Sequence, residues 1–139
     1  MRTERVYQMI KVAAAVIIKG SKVLIAKRAK GDSHGSKWEF PGGKAEKGES
    51  LKACLKREIK EELDLEIKVG KKFETTKSES IELTSFLCEI LSGDLKLSVH
   101  EEFKWADTTR IAEYDFAPAD TGAVRKITEL KTKKGDIIS

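Results

Sequence analysis

The sequence predicts an α/β fold, an α/β/α sandwich built on a mixed β-sheet. Three observations lead there. Stretches of β-branched and small apolar residues read as strands. Two stretches with helical spacing, one mid-chain and one near the end, read as helices. Their order leaves a sheet that must be covered on both faces. The 139 residues suit one domain spanning 1–139, long enough to bury a core without disulfide or metal staples.

The elements follow in order. Met9–Ile18 reads as a buried strand, Lys19-Gly20-Ser21 as a turn and Lys22–Arg28 as a second strand, together a hairpin. Ala29–Ser36 is polar and Gly-containing, a loop. Trp38–Phe40 is a short extended piece ahead of Pro41, which disfavours helix before it, and Gly42-Gly43 needs a tight backbone path. Ser50 is a plausible N-cap for a helix running to about Leu63, with Leu51, Cys54, Leu55 and Ile59 at helical spacing. Glu66–Thr76 and Ser80–Leu91 read as long strands, Ser92-Gly93-Asp94 as a turn, and Leu95–Ser98 and Phe103–Ala106 as short strands. Ala119–Lys133 reads as a terminal helix with Ala123, Val124, Ile127 and Leu130 on one face.

Composition narrows the class. Charged residues reach 36%, but they are mixed rather than blocked, as on a solvated surface and not in a disordered chain. The net charge is +4, with basic residues towards both ends (Arg2, Arg5 and Lys11; Lys131, Lys133 and Lys134), a balance that attracts phosphates. No basic patch is interleaved with stacking aromatics, so a polymeric nucleic acid is not the expected partner. Cys54 and Cys88 lack zinc or CxxC spacing and read as buried thiols. The N-terminus lacks the apolar core of a signal peptide, and Val12–Ile18 is too short to span a bilayer. A cytoplasmic enzyme with no membrane partner is expected, and nothing in the sequence decides between monomer and homodimer.

The most informative segment is Gly43–Leu65, GKAEKGESLKACLKREIKEELDL. At about 100° per residue, Glu58, Glu61 and Glu62 share an arc of roughly 100° on the helix. That arc continues the line of Leu51, Cys54 and Leu55, so the face expected to be buried turns acidic halfway along. Like charges at these spacings repel. Lys52, Lys56 and Lys60 lie on the opposite face, too far round to neutralise them. Clustered carboxylates beside a Gly-rich turn suit a hard divalent cation with oxygen ligands.

The segment resembles the Nudix box. Gly43, Glu49, Arg57, Glu58, Ile59, Glu61, Glu62 and Leu65 all fall in register with that pattern. One position departs: Asp64 stands where the family has Gly, at a helix end that calls for a left-handed residue. Asp and Asn tolerate that conformation best after Gly. The likeness to MutT-type nucleotide hydrolases continues in Trp38–Lys44 (WEFPGGK), in Val23–Arg28, which ends on a substrate-facing Arg, and in Phe116–Asp120 (FAPAD), before the last helix.

The resemblance implies the Nudix fold and Mg²⁺-dependent hydrolysis of nucleoside triphosphates to monophosphate and pyrophosphate, with Mn²⁺ as an alternative ion. Oxidised nucleotides such as 8-oxo-dGTP are the implied substrates. CTP-type pyrimidine nucleotides, and ADP-ribose or dinucleotides, are the alternatives, and a nucleotide-binding module without catalysis is a further one. It makes Glu58, Glu61 and Glu62 catalytic and metal-holding, with the Gly42 carbonyl as a further ligand. Glu49 becomes an outer ligand, and Arg57 pairs with a box glutamate and holds it in place. Arg28 and Lys44 become phosphate contacts. Phe40 is either a wall for the base or a core residue. Trp38 and Trp105 are assigned to packing, and His34 and His100 to structural or exposed positions.

Two points stay open on sequence. Many relatives place an acid directly before the His of E-H-x-x-x-x-W, but here Val99 precedes His100. Either Glu101 or Glu102 replaces it through a register shift, or the box itself supplies the base. The second point is Asp120, which either reads the base or caps the last helix. An ionised carboxylate only accepts hydrogen bonds and so matches the two adjacent donors of a guanine-type base. If burial raises its pKa, the protonated form matches cytosine instead.

Overall fold

The computed structural model describes residues 9–29, 35–78 and 80–134. The loop expected at Ala29–Ser36 lies largely outside the described residues, as do His34, Arg2 and Arg5. Seven strands form a mixed sheet: β1 (Ile10–Lys19), β2 (Lys22–Arg28), β3 (Trp38–Glu39), β4 (Gly42–Lys44), β5 (Glu66–Ser78), β6 (Ile81–Ser92) and β7 (His100–Asp107). Two helices, α1 (Leu51–Leu63) and α2 (Thr121–Lys134), pack against it.

β1 is the central strand. It runs parallel to β6 and antiparallel to β4 and β2. The β1–β2 hairpin pairs only near its turn, at Ile18 with Val23 and Lys19 with Lys22, and Gly20 takes φ +63° there. Beyond that point the strands part, and β2 pairs with β3 and β7. Alternation sends Ala13, Ala15 and Ile17 into one core with Cys54, Leu55, Ile59 and Leu63 of α1. Ala14, Val16 and Ile18 go into the other with Ala123, Val124 and Ile127 of α2. Both faces of β1 are therefore buried, which explains its uninterrupted apolar run. Each fully buried Ile or Leu contributes about 1.5–3 kcal/mol.

Small residues in β1 let β4 come close. A Cβ on Gly42 would stand 1.9 Å from the Ala13 carbonyl oxygen, so only glycine fits. The Gly42-Gly43 path is thus a short strand. α1 starts where Ser50 Oγ accepts from the Ala53 N–H at 3.1 Å. It ends on Asp64 at φ 60°, ψ 37°, the left-handed conformation expected of that position.

Three expectations need correction. Leu95–Ser98 is not a strand: it crosses the end of α1, where Lys96 N–H donates to the Leu63 carbonyl (2.9 Å) and Ser98 N–H to that of Glu62 (3.2 Å). The last helical carbonyls lack partners within the helix, and this segment supplies them. β7 is longer than Phe103–Ala106, beginning at His100. The final helix begins at Thr121 rather than Ala119, because Pro118–Asp120 forms a separate 3₁₀ turn with Pro118 at its start.

Candidate active site

The box helix carries two parallel rows at i,i+4 steps. The row Leu51, Leu55, Ile59, Leu63 stays apolar and faces the core. The neighbouring row runs Cys54, Glu58, Glu62, and there the expected change from apolar to acidic occurs. Both glutamates are part-buried. Glu61 lies off that row with its side chain 58% exposed, so the acidic inner face has two members and not three. The row that holds Arg57 and Glu61 turns outward because the core already has its stripe one row away.

Arg57 ties the segment together. Its Nε and Nη2 donate to the two oxygens of Glu49 at 2.8 and 2.9 Å, and its Nη1 donates to Glu58 Oε2 at 2.9 Å and Glu61 Oε1 at 3.3 Å. Those bonds, with the Glu46 backbone N–H, hold the Glu49 carboxyl down to about 2. Burial pushes Glu62 well up, and the neighbouring Glu58 carboxyl adds to the effect. Glu62 Oε1 is buried with no hydrogen-bond partner. A Cβ on Gly43 would stand 2.3 Å from Glu58 Cδ, so glycine lets this carboxyl lie flat on the turn.

These features fit a hard divalent cation: an orphaned buried carboxylate oxygen, a second carboxylate beside it, and glycine backbone within reach. Among the described residues, no three acidic, thiol or imidazole side chains converge as a closed ligand set.

Glu62, Gly42 and Gly43 border a cavity of about 410 Å³, within the range of nucleotide-sized sites. Phe40 and Asp120 line it too. Phe40 is buried and packs on Phe116 at 5.2 Å between ring centroids, so it serves core and cavity together. Asp120 Oδ1 accepts from the Phe40 N–H at 3.3 Å, so its side chain points away from the first turn of α2. Burial pushes the Asp120 carboxyl up to about 8. The Glu39 charge adds to this, against the Phe40 N–H and Arg28. Arg28 also lines the cavity, paired to Glu39 at 2.6 Å. Lys44 does not: it is exposed, along a separate depression shared with Lys11, Lys47 and Glu49.

Val99 lines the cavity, 57% exposed, while Glu101 and Glu102 are exposed and are not among the residues that line it. The residue that turns inward is His100, whose Nε2 meets Glu39 Oε2 at 2.7 Å. Sequence reasoning missed both Glu39 and His100 as cavity residues. A signal existed for Glu39, an acidic residue on a short strand between two core aromatics.

A pair of part-buried acids on a helix thus lies beside a nucleotide-sized cavity, with the Gly42-Gly43 strand at its edge. The family model for the NUDIX domain matches residues 9–129, and the chain belongs to the Nudix hydrolase family. It is 31% identical over 131 residues to the CTP pyrophosphohydrolase of Escherichia coli (strain K12), covering 91% of this chain and 97% of that protein. It is 32% identical over 116 residues to a putative 8-oxo-dGTP diphosphatase 2 of Mycobacterium tuberculosis, covering 80% and 82%. The solution structure of the E. coli ORF135 protein superposes with a TM-score of 0.78 at 30% identity, covering 91% of this chain and 94% of that one. Enzymes of this family generally need a divalent metal ion. No helix among the described residues is long and apolar enough to cross a membrane.

Proposed function

We propose that this chain is a Mg²⁺-dependent pyrophosphohydrolase that converts nucleoside triphosphates to monophosphate and pyrophosphate. The observation that carries this is the cavity that places Asp120 and Phe40 on the same walls as Glu62 and the Gly42-Gly43 turn. Glu58 and Glu62 would hold the ion, with the Gly42 carbonyl as a further ligand and the outward-turned Glu61 at the edge of the site. When bound, the ion neutralises phosphate charge and makes water a better nucleophile. Arg57 fixes Glu58 in one orientation. Arg28 donates to the phosphate chain. Phe40 and Asp120 receive the base.

Asp120 decides which base. Burial raises its carboxyl to about 8, which favours the protonated form with its one donor and one acceptor. That pair matches the amine and ring nitrogen of cytosine, so a cytidine nucleotide is the favoured substrate. Similarity to a CTP pyrophosphohydrolase along nearly its whole length supports this. The second reading, 8-oxo-dGTP, rests on the ionised form and on the Mycobacterium relative. The test is release of monophosphate and pyrophosphate from CTP, dCTP, 8-oxo-dGTP, dGTP, ATP and ADP-ribose with Mg²⁺. The proposal expects the highest kcat/KM for CTP or dCTP. Hydrolysis of ADP-ribose alone contradicts it.

A further inference from the structure

The His100 side chain is 3% exposed, and the reaction leaves it unassigned. Its placement depends on a break in the β2–β7 ladder. Ala26 pairs with Phe103 and Lys27 with Glu102, but Arg28 pairs with His100, so Glu101 is an extra residue on β7. In an unbroken ladder Glu101 would face Arg28, and His100 would lie on the opposite side of the sheet. The bulge turns His100 onto the face of Arg28. Glu39 shares that face, since it pairs with Ala26 across β2 and β3.

Three strands thus deliver three charged or polar side chains to one spot, and their contacts form a chain. His100 Nε2 meets Glu39 Oε2 at 2.7 Å, and Arg28 Nη1 donates to Glu39 Oε1 at 2.6 Å. An ionised carboxylate only accepts, so Nε2 carries the proton of that bond. Each oxygen of Glu39 is held from a different strand, which leaves the carboxylate one orientation. Exposure rises along the chain: 3% for His100, 16% for Glu39 and 25% for Arg28. All three border the cavity; His100, the most enclosed, is the anchor, and Arg28 is the most open to it.

We propose that His100 is a positioning residue: acting through Glu39, it fixes the Arg28 guanidinium where the cavity receives the phosphate chain of the substrate. This rests on the proposed function, which gives Arg28 its ligand. A guanidinium already held in place loses less freedom when phosphate binds, so the contribution falls on substrate binding. His100 does not exchange protons with substrate in this account, because one ring nitrogen is committed to Glu39 and the other, Nδ1, is buried.

The test compares the parent with His100→Leu, which removes the donor, and His100→Gln, whose amide nitrogen lies the same number of bonds from Cα as Nε2. Steady-state kinetics with CTP and Mg²⁺ and thermal melting are measured for each. His100→Leu is expected to raise KM about tenfold, the scale for losing an outer partner of a binding group, with kcat within about threefold. His100→Gln is expected to restore KM to near the parental value. A merely structural role lowers Tm in both variants without separating their KM values. If His100→Leu does not fold, Glu39→Gln, which cuts the same link, is expected to raise KM to a similar degree. Unchanged KM in that variant overturns the inference. So does a parental KM in His100→Leu, an equal KM rise in His100→Leu and His100→Gln, or a fall in kcat alone. A parent that hydrolyses no nucleotide of the panel overturns the function and the inference together. An active parent with any of these outcomes overturns the inference alone.

Discussion

Asp120 shows at the scale of one residue how burial sets chemistry. Its carboxyl is 5% exposed and raised to about 8, so between about pH 4 and 8 the folded chain holds a proton that the unfolded chain releases. The sign follows: stability from this group is present at low pH and is lost as pH rises through that window. Asp120→Asn keeps an oxygen for the Phe40 N–H and removes the titration. Its Tm is expected to gain on the parental Tm steadily from pH 5 to pH 8.5; a constant difference between the two contradicts the assignment. Asp120 was legible in the sequence as a residue of two meanings; in the fold it accepts from the Phe40 N–H and lines the cavity. Glu39 and His100 were not legible as a pair, because 61 positions separate them and a bulge sets their meeting. Periodicity cannot locate a one-residue bulge.

Among the elements, α1 was the most legible, since its cap, its apolar row and its acidic row all follow from spacing. What spacing could not tell was which of the three glutamates faces inward, because rows 100° apart on a helix differ little until a sheet is placed against one of them. Its end is open to a direct check. Asp64 holds φ +60° and pairs with Lys60 at 3.1 Å, an exposed contact of small value. Glycine takes this conformation without strain, so Asp64→Gly is expected to stabilise the chain by up to about 1 kcal/mol. Denaturant midpoints measure it, and a loss of stability means that the Lys60 contact outweighs the strain. Leu95–Ser98 was misread as a strand because alternation of Leu and Lys imitates one; its backbone instead serves the carbonyls of α1.

Over the whole molecule, the order of strands and helices predicted a sheet covered on both faces, and the two cores lie there. The cavity was not predictable as a volume, since it joins β1, the Gly42-Gly43 turn, α1 and the turn before α2, and only the fold brings these together. The proposed divalent-ion site at the Glu58–Glu62 pair carries a cost in stability. Glu62 is part-buried beside the Glu58 carboxyl with one oxygen left without a partner, so an amide there keeps the shape of the side chain while removing a charge that the reaction needs. The most direct measurement takes Glu62→Gln and follows Mg²⁺-dependent CTP hydrolysis and Tm in the same preparation. A fall in kcat of about 10²–10³-fold is expected, the scale of losing one transition-state charge partner, with Tm equal to or above the parental value. Near-parental turnover in a folded Glu62→Gln protein would contradict it.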